Sequence, residues 1–380
     1  MGGKSKKEYL LAIWSRYQRA GRKHKTKILD EFCLVCGYTR KHAIALLRHK
    51  PGRPRRRPGP KTRYDAAVME PLKFLWLKSE QMCSKRLKAA LPFWLPFYQQ
   101  KHGPLPEPVR QKLLRMSPAT IDRLLKKVRA RYPGKGLCGT RPGSLLKHQI
   151  PIRTDNRDID QPGFLEADTV AHCGSSMAGD FIWSVTFTDL YSQWTENRAI
   201  WNKGAKDVLE QVKDLEQRLP FAIRGFDVDN GSEFLTFHLW RYLLDRPRPV
   251  PLTRSRPYRK NDQAHVEQKN WTHVRQLLGY DRLETPQLLP AINELYRTWG
   301  LLHNFFCPSL KLLSKTRRGA KTIRKYSAPQ TPAQRLLDCP QLTAEQKDKL
   351  RSQLQHLDPL VLKEQIEQLL KVVFNPRQTR

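Results

Sequence analysis

The sequence predicts a multidomain chain: helical units at the N-terminus, an α/β core whose mixed sheet is flanked by helices, and a helical tail. Three observations carry this. Apolar residues recur at helical spacing on both sides of a central stretch. That stretch, 164–271, instead alternates β-rich runs with a helical pattern. Basic segments rich in Pro and Gly separate the blocks at 51–63 and 133–154. The predicted divisions are therefore 1–50, 64–132, 155–306 and 307–380, with those two linkers between the first three.

Composition narrows the function. Among 380 residues, 70 Lys+Arg face 35 Asp+Glu, a net charge of +35. A chain this basic is expected to meet a polyanion, with nucleic acid the default partner. A membrane partner is disfavoured, because no apolar run approaches the roughly 20 residues of a spanning helix. The opening Met1-Gly-Gly-Lys-Ser-Lys-Lys leads into an amphipathic stretch, so no signal peptide is expected. Lys6 stands where a myristoylation motif wants Ser or Thr. The 7 cysteines are odd in number and scattered, which fits a reducing, cytoplasmic compartment better than a disulfide framework. Cys33 and Cys36 share one helical face, and with no second Cys or His pair at zinc-finger spacing they read as packing groups.

In the first block, 8–18 places Tyr9, Ile13, Trp14 and Tyr17 at helical spacing. A second helix is predicted over 25–36, with Ile28, Leu29 and Phe32 inward. Gly37-Tyr38 breaks it, and Thr39 is placed to cap a third helix to His49, with Ala43, Ile44 and Leu47 inward. Arg40, Lys41 and Arg48 fall on the other faces. Two short helices around a Gly turn, the second basic, resemble a DNA-binding helix-turn-helix; a three-helix bundle with a solvated basic face has the same pattern. In the linker, Arg53, Arg55 and Arg56 lie among prolines and glycines that prevent helix or sheet. The Gly52-Arg53-Pro54 centre resembles an AT-hook, and a linker whose charges follow phosphates fits equally.

The second block predicts a helix over 70–81 burying Leu72, Leu75 and Trp76, and another over 84–91 ended by Pro92. Ser117-Pro118 marks a strong helix start. The helix it opens turns Ile121, Leu124, Leu125 and Val128 inward and Arg123, Lys126 and Lys127 outward, as a second recognition helix would.

In the core, a half-buried strand holds Asp168, a hairpin follows over 181–189 and 194–200, and 203–219 is helical. The strand 221–228 then delivers Phe226-Asp-Val-Asp229-Asn-Gly-Ser-Glu-Phe234, and Asn261-Asp-Gln-Ala-His-Val-Glu267 opens a helix. Asp168, Asp229 and Glu267 can converge on one point, and such hard oxygen donors suit Mg²⁺ or Mn²⁺. By the strand period Asp227 shares a face with Asp229 and reads as structural, while Glu166 shares one with Asp168 and is an auxiliary candidate. Arg259 and Lys260, in a polar basic stretch ahead of Glu267, and Lys269, beyond it, are candidate DNA contacts. After a helix to Phe306, 312–331 reads as an exposed basic arm, followed by helices over 343–356 and 359–374.

Asp168-Thr, Asp229-Asn-Gly-Ser-Glu-Phe and Asn261…Val-Glu267 resemble the catalytic core of retroviral integrases and of integrase-like transposases of bacterial insertion sequences. The likeness covers roughly 155–283, and Thr331-Pro-Ala-Gln-Arg-Leu-Leu resembles their tail element. In this chain Asp262 follows Asn261 where those enzymes usually carry Gly. The resemblance implies an RNase H-like core with a mixed five-stranded sheet. It implies a DDE transposase that holds two Mg²⁺ or Mn²⁺ ions per site on Asp168, Asp229 and Glu267, frees a 3′-OH at each element end and joins it to target DNA. Its partners would be double-stranded DNA and further copies of the chain, as a homodimer or larger assembly on the bacterial nucleoid. A catalytically inactive DNA-binding regulator and an RNase H-like nuclease are the alternatives.

Overall fold

The computed structural model describes residues 1–49, 63–132, 159–228, 234, 236–254 and 264–374. The chain forms two compact units, Met1–Arg63 and Tyr64–Arg380. Asp229, Arg259, Lys260 and Asp262, with Arg53, Arg55 and Arg56 of the first linker and all but its last residue, lie outside the described residues, as does the second linker.

The first unit is helical: α1 (Gly3–Arg19), α2 (Arg22–Cys36) and α3 (Arg40–Arg48). Their apolar stripes meet around Ile13, Leu29, Phe32, Ala43 and Leu47. Gly37 ends α2 in the left-handed conformation (φ 64°), where its N–H reaches the Cys33 carbonyl at 2.8 Å. Two details differ from expectation. Ile44 is 43% exposed, because the short α3 turns only Ala43 and Leu47 to the core. Thr39 occupies the N-cap position but makes no side-chain cap bond.

In the second unit α4 (Ala66–Lys78), α5 (Ser84–His102), α6 (Glu107–Arg115) and α7 (Pro118–Arg129) precede the sheet. Pro92 does not end α5, which continues through both Pro92 and Pro96. Burial of Leu87, Ala90, Leu91, Trp94 and Leu95 along one face outweighs the local cost of losing two backbone donors. Residues 64–132, expected as a separate domain, share one core with the C-terminal half. Trp94 donates its indole N–H to the Phe306 carbonyl at 3.0 Å, and Lys78 pairs with Glu367 at 3.0 Å.

The sheet comprises β1 (Phe164–Ala171), β2 (Ile182–Asp189), β3 (Thr195–Trp201), β4 (Gly225–Val228) and β5 (Leu252–Arg254), in the order β3-β2-β1-β4-β5. The β1–β2 and β2–β3 pairs are antiparallel; β1–β4 and β4–β5 are parallel. This is the mixed five-stranded sheet expected. Asp189 organises the β2–β3 turn from a fully buried position, accepting from the Gly163 and Ser192 backbone N–H groups at 2.8 and 2.7 Å. Burial raises its carboxyl pKa, and these hydrogen bonds offset part of that. Helix α8 (Ala205–Arg218) carries the crossover from β3 to β4, burying Val208, Val212 and Leu215, and α9 (Phe237–Leu244) links β4 to β5.

Helix α10 (Ala264–Lys269) runs into a π-helical turn, Asn270–Arg275, before Gln276–Leu278. The long helix α11 (Leu289–Phe306) is buried on most sides. Its Asn304 side chain bonds both the N–H and the carbonyl of Thr195, each at 3.0 Å. Asn293 does the same at Ala199, at 2.8 and 3.1 Å. Two amides thus close the outer edge of β3. The expected basic arm is a hairpin, β6 (Leu312–Arg318) and β7 (Lys321–Tyr326), joined through Gly319 at φ 58°. Helices α12 (Pro332–Asp338), α13 (Ala344–Gln355) and α14 (Pro359–Phe374) complete the chain. Thr331 forms a capping box with Gln334, and buried Arg335 ties α12 to the sheet turn through the Ser192 carbonyl at 2.9 Å. Among the described residues no helix is long and apolar enough to cross a membrane.

Candidate active site

The parallel register of β1 and β4 pairs Glu166 with Asp227 and Ala167 with Val228. The residue before Asp168 therefore lies beside the residue before Asp229. On this sheet end α10 and the π-helical turn that follows it are fastened at successive points. The Val266 N–H donates to the Glu166 carboxylate at 2.9 Å, and the Asn270 side chain donates to Asp168 Oδ2 at 2.6 Å. Further along, Arg275 Nη2 reaches the Ala171 carbonyl at 3.0 Å. Glu267 stands between the first two tethers, exposed, three residues from Asn270 and so on the same helical side. The Thr169 N–H holds the other Asp168 oxygen at 2.7 Å, so the carboxylate is fixed in orientation from two directions.

Glu166 is buried at 1% exposure and serves the helix start, which assigns it to holding α10. Asp227 accepts from the Thr253 hydroxyl at 2.6 Å, linking β4 to β5, in line with its structural reading. His172 is also structural. Its Nε2 lies 2.7 Å from the Ser184 hydroxyl inside the core, and burial, with Arg275 nearby, holds its pKa down at about 3.

Carboxylate oxygens of Asp168 and Glu267 are the donors a hard divalent cation prefers. Among the described residues no three His, Cys, Asp or Glu side chains are grouped to hold a metal, and the expected trio includes Asp229, outside them.

Of the candidate nucleic-acid contacts, Arg123, Lys126 and Lys127 are exposed on α7, and Lys41 is exposed on α3. Arg40 is ion-paired to Asp30. Lys269 does not lie on an open basic face. It is half-buried and lines an open cavity, where burial and the nearby Arg86 and Arg335 pull its pKa to about 7. Asn270 escaped the sequence reading, although its place three residues after Glu267 is the signal that could have found it. The π-helical turn carries no sequence mark of its own.

The fold and the tethered acids describe a mixed α/β protein with a carboxylate-bearing sheet end. No protein-family model matches the chain. It is 39% identical over 331 residues to the uncharacterized protein y4rM of Sinorhizobium fredii (strain NBRC 101917 / NGR234), a match spanning 86% of this chain and 94% of that protein. The chain belongs to the family of y4rM. Among solved structures, the catalytic core domain of BIV integrase is similar with a TM-score of 0.24 and 19% identity, over 31% of this chain and 70% of that one. At that score the likeness assigns no activity, which is left to the residues themselves.

Proposed function

We propose that the chain is a metal-dependent polynucleotidyl transferase acting on double-stranded DNA, a DDE transposase with an RNase H-like core. The observation that carries this is the double tether of α10 and its π-helical turn to β1, which holds Glu267 at the sheet end where Asp168 is oriented and where β4 leads to Asp229. Two divalent ions bound there would stabilise the attacking and leaving oxygens of a phosphodiester displacement. The protein's own part is to aim the three carboxylates, with Asn270 and Thr169 setting the angle of Asp168, and to present the DNA end.

Charge placement supports the DNA reading. Hairpin β6–β7 sets Lys315 opposite Arg324 and Arg318 opposite Lys321, like-charged pairs that repel until an anion lies across them. Charge reversal at Arg123, Lys126 and Lys127 together is expected to weaken duplex binding by roughly 100-fold or more and to flatten its salt dependence. Thermal stability is unchanged, since all three are exposed. A filter-binding salt series reads both, and unchanged affinity removes α7 from the DNA surface.

The central test uses labelled duplexes from DNA flanking the gene, with Mg²⁺ or Mn²⁺, scored for nicks and joined products. Nicking and joining confined to end-containing duplexes support a transposase. Cleavage of any hybrid or junction makes it a nuclease, and no cleavage makes it a DNA-binding regulator. Replacing Asn270 by Ala frees one side of Asp168. Activity at fixed metal is expected to fall about 10- to 100-fold, partly restored by raising Mg²⁺. A metal titration giving the wild-type curve would mean the tether is only structural.

A further inference from the structure

On the side of α10 away from Asn270 and Glu267, a cavity of about 780 Å³ lies between α4, α5, α11 and α14. Lys269, Thr272 and His273 line it from the α10 side, and Arg86 from α5. Four cationic side chains and two acids face it, but the acids are taken: Glu367 pairs with Lys78 and Glu80 with Lys363. Arg86, whose Nε donates to the Pro308 carbonyl, and Lys269 have no ion-pair partner among the described residues. Just behind the wall, on three residues that line it, lie buried nitrogen atoms without hydrogen-bond partners among the described residues: Trp299 Nε1, His273 Nδ1 and His303 Nε2. Trp299 and His273 are buried, at 3% and 2% exposure, and the His303 ring lies 4.3 Å from that of Trp299 and 4.6 Å from that of His273. An indole N–H can only donate, so an interior one calls for an acceptor.

Excess positive charge beside several unmatched donors defines an oxygen-rich anion as the complementary guest. A tetrahedral phosphate meets both demands, since its oxygens accept from a guanidinium, an ammonium and ring N–H groups at once. We propose that this cavity binds a phosphate-class oxyanion. Arg86 and Lys269 supply the charge; Trp299 Nε1, His273 Nδ1 and His303 Nε2 supply the donors, in the tautomers that place protons there and with a small shift of the rings toward the guest. The anion is either free phosphate or pyrophosphate, or a phosphodiester of bound nucleic acid. The site is separate from the proposed catalytic acids and does not depend on nucleotidyl transfer. Because Lys269 and Glu267 share α10, an anion here also braces the helix that carries Glu267.

The test is calorimetric titration of the full chain with sodium phosphate and with pyrophosphate, without DNA or divalent metal, at ionic strength fixed by chloride. Saturable binding is expected, with a rise in thermal midpoint that chloride does not give. Arg86→Gln and Trp299→Phe, which removes one N–H and keeps the ring, are each expected to weaken it about tenfold. Lys349→Gln, on the exposed face of α13, leaves it unchanged. If Trp299→Phe misfolds, Arg86→Gln carries the result. Competition by excess duplex identifies a nucleic-acid phosphate, and its absence identifies the free anion; either outcome supports the site. Asp168→Asn leaves phosphate binding intact, which separates this proposal from the catalytic one. Absence of saturable binding, or wild-type affinity in both cavity variants, overturns it.

Discussion

Glu267→Gln is expected to abolish strand cleavage and strand joining together, by roughly 10³-fold or more, while DNA binding survives. The substitution keeps the size and hydrogen bonding of the side chain and removes only the charge that would help hold a divalent ion. Binding can even tighten slightly, since one negative charge near phosphates is gone. Asp168→Asn and Asp229→Asn are expected to match it, and double variants to be scarcely worse, because ligands of one site act as a unit. On the proposed function joint loss is expected, because one site would perform both displacements. The gel assay with labelled ends measures nicks and joined products separately. Near-normal cleavage by Glu267→Gln would move the third ligand elsewhere, with Asp262 the next carboxylate to test.

The largest expected effect on stability is at Trp94. This side chain is 1% exposed, stacks edge-on against Phe306 and donates its indole N–H to the Phe306 carbonyl. Trp94→Ala is expected to cost about 3–5 kcal/mol. Because α5 and α11 belong to one core, the loss should appear as a single earlier transition of the whole 64–380 unit in urea, followed by circular dichroism. A separate early transition of the helical part, with the sheet intact, would show that 64–132 folds as an independent domain after all.

What was legible in the sequence was whatever local pattern controls. The alternation around Asp168, the hairpin that follows it and the Ser117-Pro118 helix start all appear as read. What was not legible depends on distant partners. Pro92 signals a helix end, but the neighbours that keep α5 going come from α11, more than two hundred residues later. Helix α6 went unpredicted, its pattern short and broken by polar residues. Lys269 reads as one more basic surface residue, and only the packing of α4, α5 and α11 around it turns it inward. For the site, the strand position of Asp168 and the helix of Glu267 were readable. Their mutual attachment through Asn270 and Glu166 is tertiary and was not.

The amide clamps on β3 have a consequence for how the chain is made. Thr195 and the Asn304 that covers it are 109 residues apart. At about 5–20 residues per second, a ribosome needs roughly 5–20 s to reach the cover after the strand has emerged. During that interval the outer edge of β3 presents unpaired N–H and C=O groups to any neighbouring nascent chain. Synthesis rate and temperature, more than final stability, are therefore expected to set how much of this protein reaches its folded form, and Asn304 is where that window shuts.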